Sequence, residues 1–158
     1  MLTAPMLYVG EDICHRIPVM ERYGARVRRT PCSARELRDS LSDTVRYSVV
    51  AFHEDLAPIP PDVLAVATSC PAPLVLFENP NVPYDPDCFD LIVPALTAPA
   101  LWMRCIQDTI NESRKLHAQS QALRKEVAAV RDETGVQRSR MRRLVSDRID
   151  LNGIWRRS

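Results

Sequence analysis

The ionisable side chains that could do chemistry follow two short apolar runs. Glu11 and Asp12 come directly after Met6 to Gly10, and His53, Glu54 and Asp55 come directly after Val49 to Phe52. Adjacent carboxylates can supply the hard oxygen ligands that a divalent cation takes. They can also cap a following helix and favour its dipole, and this is the preferred reading for Glu11 and Asp12, with a weak divalent-metal site second. His53 reads first as a hydrogen-bonded loop histidine and second as a ligand or acceptor. His15 and His117 are far from it in sequence, so no metal-ligand spacing joins the three. The chain shows no nucleophile–base pair, glycine-rich phosphate loop or metal constellation, which argues against an enzyme. Its cysteines (Cys14, Cys32, Cys70, Cys88, Cys105) are odd in number and scattered, which argues for small core thiols in a reducing, cytoplasmic setting.

The elements that must position these groups alternate. Met6 to Val9 reads as a short strand. Ile13, Ile17, Met20 and Tyr23 then recur at helical spacing, with Pro18 in the first turn and Gly24 as the stop. Ala25 to Arg29 reads as a second strand with one wet face. Ser33 and Glu36 have capping-box spacing for a helix that puts Leu37 and Leu41 on one face. Tyr47 to Phe52 is a third strand, Asp62 to Thr68 a short helix, Pro73 to Phe77 a fourth strand and Phe89 to Val93 a fifth. Pro80, Pro83 and Pro86 leave little or no helix between the last two strands. This rhythm predicts a parallel α/β sheet with helices on both faces. In such sheets, charged groups at the carboxyl ends of strands occupy the functional edge.

Four passages taken in order resemble response-regulator receiver domains: LYVGED, ERYGARVRRTPCSARELRDSL, YSVVAFHEDLAP and FDLIVPALTAPALWMRCI. The resemblance covers about Met6 to Glu112. It implies a doubly wound, flavodoxin-like, five-stranded sheet of order 2-1-3-4-5, in a receiver-like domain over 1–112. It also implies a signalling role in a two-component phosphorelay. A receiver's acidic pair, which holds Mg²⁺, would be Glu11 and Asp12. The phosphoacceptor position falls on His53 if Tyr47 sets the register and on Glu54 if Pro58 sets it, with Asp55 one or two places further on. The hydroxyl position is Glu78 and the lysine position is Val93, so both readout groups are missing. The resemblance therefore implies a degenerate receiver outside the usual phosphorylation cycle, with no required cofactor beyond an optional Mg²⁺. Receivers favour a cis bond before the proline that follows the fifth strand, which would be Val93–Pro94.

From Ala98 onward a helical pattern begins that has no early end. Leu116, Leu123 and Val130 fall on one heptad position and Val127 on the other core position, predicting a coiled coil through which two copies pair. A helix over 98 to 132 would extend about 50 Å at 1.5 Å per residue, too far to bury its stripe on its own domain. The alternative is a bend at Asp132 to Gly135 and an antiparallel hairpin. Segment 113–158 is thus an extended helical unit with a basic tail. Arg138 to Ser158 holds seven arginines and two aspartates, net +5, leaving −4 for the rest of a chain whose total is +1. The tail reads as a solvated helical face, with nucleic-acid contact a less favoured alternative. The first residues lack the charged and apolar regions of a signal peptide, and no apolar run approaches the roughly 20 residues of a membrane span. A cytoplasmic homodimer with a protein signalling partner is the reading that follows.

Overall fold

The computed structural model describes residues 4–42, 44–53 and 57–154, with side chains through residue 143. The elements run β1 (Met6–Val9), α1 (Arg16–Arg22), β2 (Val27–Thr30), α2 (Ala34–Ser42), β3 (Val49–Phe52), α3 (Pro61–Thr68), β4 (Leu74–Phe77), a 3-10 turn at Pro86–Cys88, β5 (Leu91–Val93) and α4 (Pro99–Ile154). The five strands form one parallel sheet in the order β2-β1-β3-β4-β5. The chain divides into two compact units, Met1–Arg114 and Lys115–Ser158.

The central strands are short and wholly apolar because both faces of the sheet are covered. Successive residues point to opposite faces. Met6, Tyr8, Val49, Ala51, Val75 and Phe77 join Met20 of α1 and Trp102, Ile106 and Ile110 of α4 in one core. Leu7, Val9, Val50, Phe52, Leu74 and Leu76 join Leu37 of α2 and Val63 and Ala67 of α3 in the other. β2 pairs only with β1, so its Arg28 and Arg29 stay exposed while Thr30 is buried.

Some expectations shift. α1 begins only at Arg16, and Ile13 and Tyr23 are exposed, so its buried stripe reduces to Ile17 and Met20. The reason is the turn after β1, which carries Ile13 away from the sheet. The crossover from β4 to β5 holds no α-helix, as its three prolines predict; Tyr84 and Phe89 cover that part of the second core instead. The cysteines are core thiols only in part: Cys32 and Cys70 pack against the second core without being fully buried. Cys14 is exposed in the β1–α1 turn and the other four are half-buried.

In the second unit α4 runs unbroken through Gly135, so the hairpin alternative is not formed. The Thr134 hydroxyl donates to the Val130 carbonyl at 2.7 Å and the Ser139 hydroxyl to the Gly135 carbonyl at 3.0 Å, within the helix on either side of the glycine. Every described side chain from 115 to 143 is exposed. Leu116 (59%), Leu123 (60%), Val127 (53%) and Val130 (62%) are exposed among them.

Candidate functional site

The strand register aligns the carboxyl ends of the sheet. Val9 lies opposite Thr30 and Phe52, and Phe77 lies opposite Val93. The residues that follow, Gly10, His53, Glu78 and Pro94, therefore share one edge, where open α/β sheets place ligands.

Gly10 takes a left-handed backbone (φ +104°), and its amide donates to the Thr30 carbonyl at 2.7 Å. A Cβ placed on it would lie 1.8 Å from Cδ2 of His53. The imidazole thus occupies the space a side chain at position 10 would take, and only glycine permits this approach. His53 is buried (6% exposed), and its amide donates to the Val9 carbonyl at 3.3 Å. It is the first residue beyond β3, one of the two positions on which the resemblance places a phosphoacceptor, the other being Glu54. Glu54 and Asp55, the other two candidates, lie outside the described residues.

Glu11 and Asp12 are adjacent at this edge, but each is engaged. Oδ1 of Asp12 accepts the Arg16 amide at 2.7 Å and Oδ2 accepts the Ile17 amide at 3.2 Å. The residue at the helix boundary, His15, is left-handed (φ 54°) and offers no capping side chain, so Asp12 satisfies the first turn of α1 from upstream. Glu11 forms an ion pair with Arg29, whose Nε also donates to the Gly10 carbonyl at 2.9 Å. Both partners of that pair are largely exposed, so it adds little to stability. Among the described residues no three His, Cys, Asp or Glu side chains come together as a metal-binding group. A divalent cation drawing on this pair would have to displace Arg29 from Glu11 and compete with two helix amides for Asp12, so the described residues fit Mg²⁺ poorly.

The readout side of the edge is rebuilt. Glu78 accepts the Tyr84 hydroxyl at 2.7 Å, and that hydrogen bond, with partial burial and the nearby negative charge, pushes the phenol's pKa above 10.0. Val93 is buried and Val93–Pro94 is trans, contrary to the cis bond that the resemblance implies. The Pro94 carbonyl instead accepts both the amide and the hydroxyl of Thr97, a turn that leads into α4. A cation does reach this end of the sheet, from α1: the Arg16 guanidinium lies 4.8 Å from the Phe77 ring centroid and 5.7 Å from Trp102, which itself meets Phe77 edge-on at 5.2 Å. At the same edge a cleft of about 140 Å³ is lined by His53, Pro58, Leu76, Val82, Tyr84 and Phe89 among others.

Sequence reasoning found Glu11, Asp12 and His53 but missed Gly10, Arg16, Arg29 and Tyr84. Gly10 carried a signal, since a glycine ending a strand marks a close backbone approach. The roles of Arg16, Arg29 and Tyr84 depend on partners 61, 18 and 6 positions away in the chain, which no local pattern announces.

No protein-family model and no curated protein matches this chain. Solved structures do. A CheY-like response regulator receiver domain protein from Methanospirillum hungatei superposes with a TM-score of 0.52 at 14% identity, covering 71% of this chain and 97% of that one. An adenylate cyclase structure from Rhodopirellula baltica gives 0.58 at 13% identity, over 78% and 99%. A trimeric coiled-coil segment of yeast Spc42 fused to another protein gives 0.51 at 8% identity, over 84% and 97%. At such identities the likeness is one of fold. The fold is that of the CheY-like response-regulator receiver domain. To it this chain adds the long C-terminal helix.

Proposed function

We propose that this chain is an atypical receiver-like signalling module that works by protein contacts and pairs through its long helix, without the usual aspartyl phosphorylation. The observation that carries this reading is the placement of His53: one of the two positions that the resemblance allows for a phosphoacceptor holds a buried imidazole pressed onto Gly10. The engaged acidic pair, Glu78 in place of a hydroxyl and Val93 in place of a lysine support it. A carboxylate at 78 with no lysine opposite would repel an incoming phosphoryl group. The exposed stripe of Leu116, Leu123, Val127 and Val130 is the output surface, a homodimer interface. The same reading makes the chain a non-enzyme of the cytoplasm; among the described residues no helix is long and apolar enough to cross a membrane.

The test is incubation with a small phosphodonor and Mg²⁺ followed by intact mass. The expected spectrum is that of the unmodified chain. A stable phosphoryl adduct that disappears in Asp55→Asn would overturn the reading in favour of a working phosphorelay receiver. Binding to nucleic acid at physiological salt that is lost on truncation at Thr134 would favour a regulator acting through the basic tail.

A further inference from the structure

The second unit carries an exposed apolar stripe and, on either side of it, two rows of opposite charge. With Leu116, Leu123 and Val130 at heptad position d and Val127 at a, the g positions are Glu112, Gln119, Glu126 and Glu133. The e positions are His117, Arg124, Arg131 and Arg138. The helix is continuous across all of them and their side chains are exposed. One flank is thus acidic or neutral and the other is basic, down four successive heptads.

In a parallel, in-register pair, position g of one chain faces position e of the next heptad in the other. This aligns Glu126 with Arg131 of the second copy and Glu133 with Arg138, with Gln119 meeting Arg124 and Glu112 meeting His117. Each contact occurs twice by symmetry. In an antiparallel pair g faces g and e faces e, so glutamates would meet glutamates and arginines would meet arginines. In the core, Ser113 and Ser120 share position a with Val127, and only the Leu123–Val127 layer has the β-branched residue at a and leucine at d that favour two strands, so the flanking charges carry the orientation. Resting on the dimer reading above, we infer that the partner of this helix is a second copy in parallel, in-register alignment, with orientation set by the Glu126–Arg131 and Glu133–Arg138 pairs across the seam. Both chains then enter the coil from the same end, and both basic tails leave it together.

The experiment uses the full chain. Donor- and acceptor-labelled protein, with dyes joined enzymatically at the C terminus, is mixed and followed by energy transfer alongside sedimentation. The parallel pair brings the C-terminal ends of α4 together and gives efficient transfer. An antiparallel pair centred on Val127 would hold the two Ile154 ends about 80 Å apart at 1.5 Å per residue, with little transfer. Two charge variants complete the test: Glu126→Arg with Glu133→Arg, and Arg131→Glu with Arg138→Glu. Each alone should weaken dimerisation about tenfold or more through like-charge contacts, and an equimolar mixture should recover wild-type association. A wild-type dimer without transfer overturns the parallel inference and leaves the dimer reading standing. A wild-type monomer at high concentration overturns both. A three-chain particle overturns the two-stranded form.

Discussion

The imidazole of His53 lies against the bare backbone of Gly10, so closely that a methyl group there would sit 1.8 Å from Cδ2. This contact fills the sheet edge between the carboxyl ends of β1 and β3, beside Glu11 and Asp12. It makes positions 10 and 53 a coupled pair.

Gly10→Ala should therefore destabilise the first unit by at least about 2 kcal/mol, since it combines a side-chain clash with a left-handed backbone. Removing the imidazole in Gly10→Ala/His53→Ala should return part of that loss. Urea unfolding of both single variants and the double variant gives the coupling, expected at about 1 kcal/mol or more. Additive losses would mean that backbone strain alone sets the cost.

If Asp12 works as a cap, Asp12→Ala should lose about 1 kcal/mol while Asp12→Asn stays close to wild type, because an amide oxygen caps nearly as well as a carboxylate. Thermal melts with and without Mg²⁺ check it. A melt that rises with Mg²⁺ in wild type and not in Asp12→Asn would assign a metal-binding role instead.

The phenol of Tyr84 should titrate above 10.0, and Glu78→Gln should bring it back toward that value. The folded chain holds this proton more tightly than the unfolded chain does. Its contribution to stability is thus present below about pH 10 and is lost as pH rises through the higher folded value. Tyrosinate absorbance reads the titration, and Tyr84→Phe should flatten the alkaline fall in stability.

Arg16→Leu removes the guanidinium from Phe77 and Trp102. A loss of about 0.5–1 kcal/mol is expected, with a change in tryptophan emission as the polar group leaves the ring. Unchanged emission would show that the stacking is not kept in solution.

Leu123→Asp places a charge in the middle of the exposed stripe. Sedimentation should show a monomer at concentrations where wild type is a dimer, an effect of about 100-fold or more on dissociation. The fold of the first unit, monitored through Trp102, should not change, since α4 contributes its sheet-covering residues only as far as Ile110.

The sequence by itself determined the strand and helix order. The apolar runs at Met6, Val49 and Leu74 read as short strands buried on both faces, and Pro80, Pro83 and Pro86 left little or no helix between the last two, where a 3-10 turn forms. It also determined the stripe and the flanking charges of the long helix, because heptad spacing is a local property of one element. Local spacing could not settle the bend at Gly135, where a glycine permits either outcome; continuity of the helix resolved it. Only the tertiary structure decided the condition of the site. Whether Glu11 and Asp12 are ligands or engaged groups depends on Arg29 and the amides of α1, and whether position 53 is open depends on Gly10. Those partners meet only when parallel strands bring distant segments to one edge. That step turned a cluster of ionisable residues into a largely engaged sheet edge.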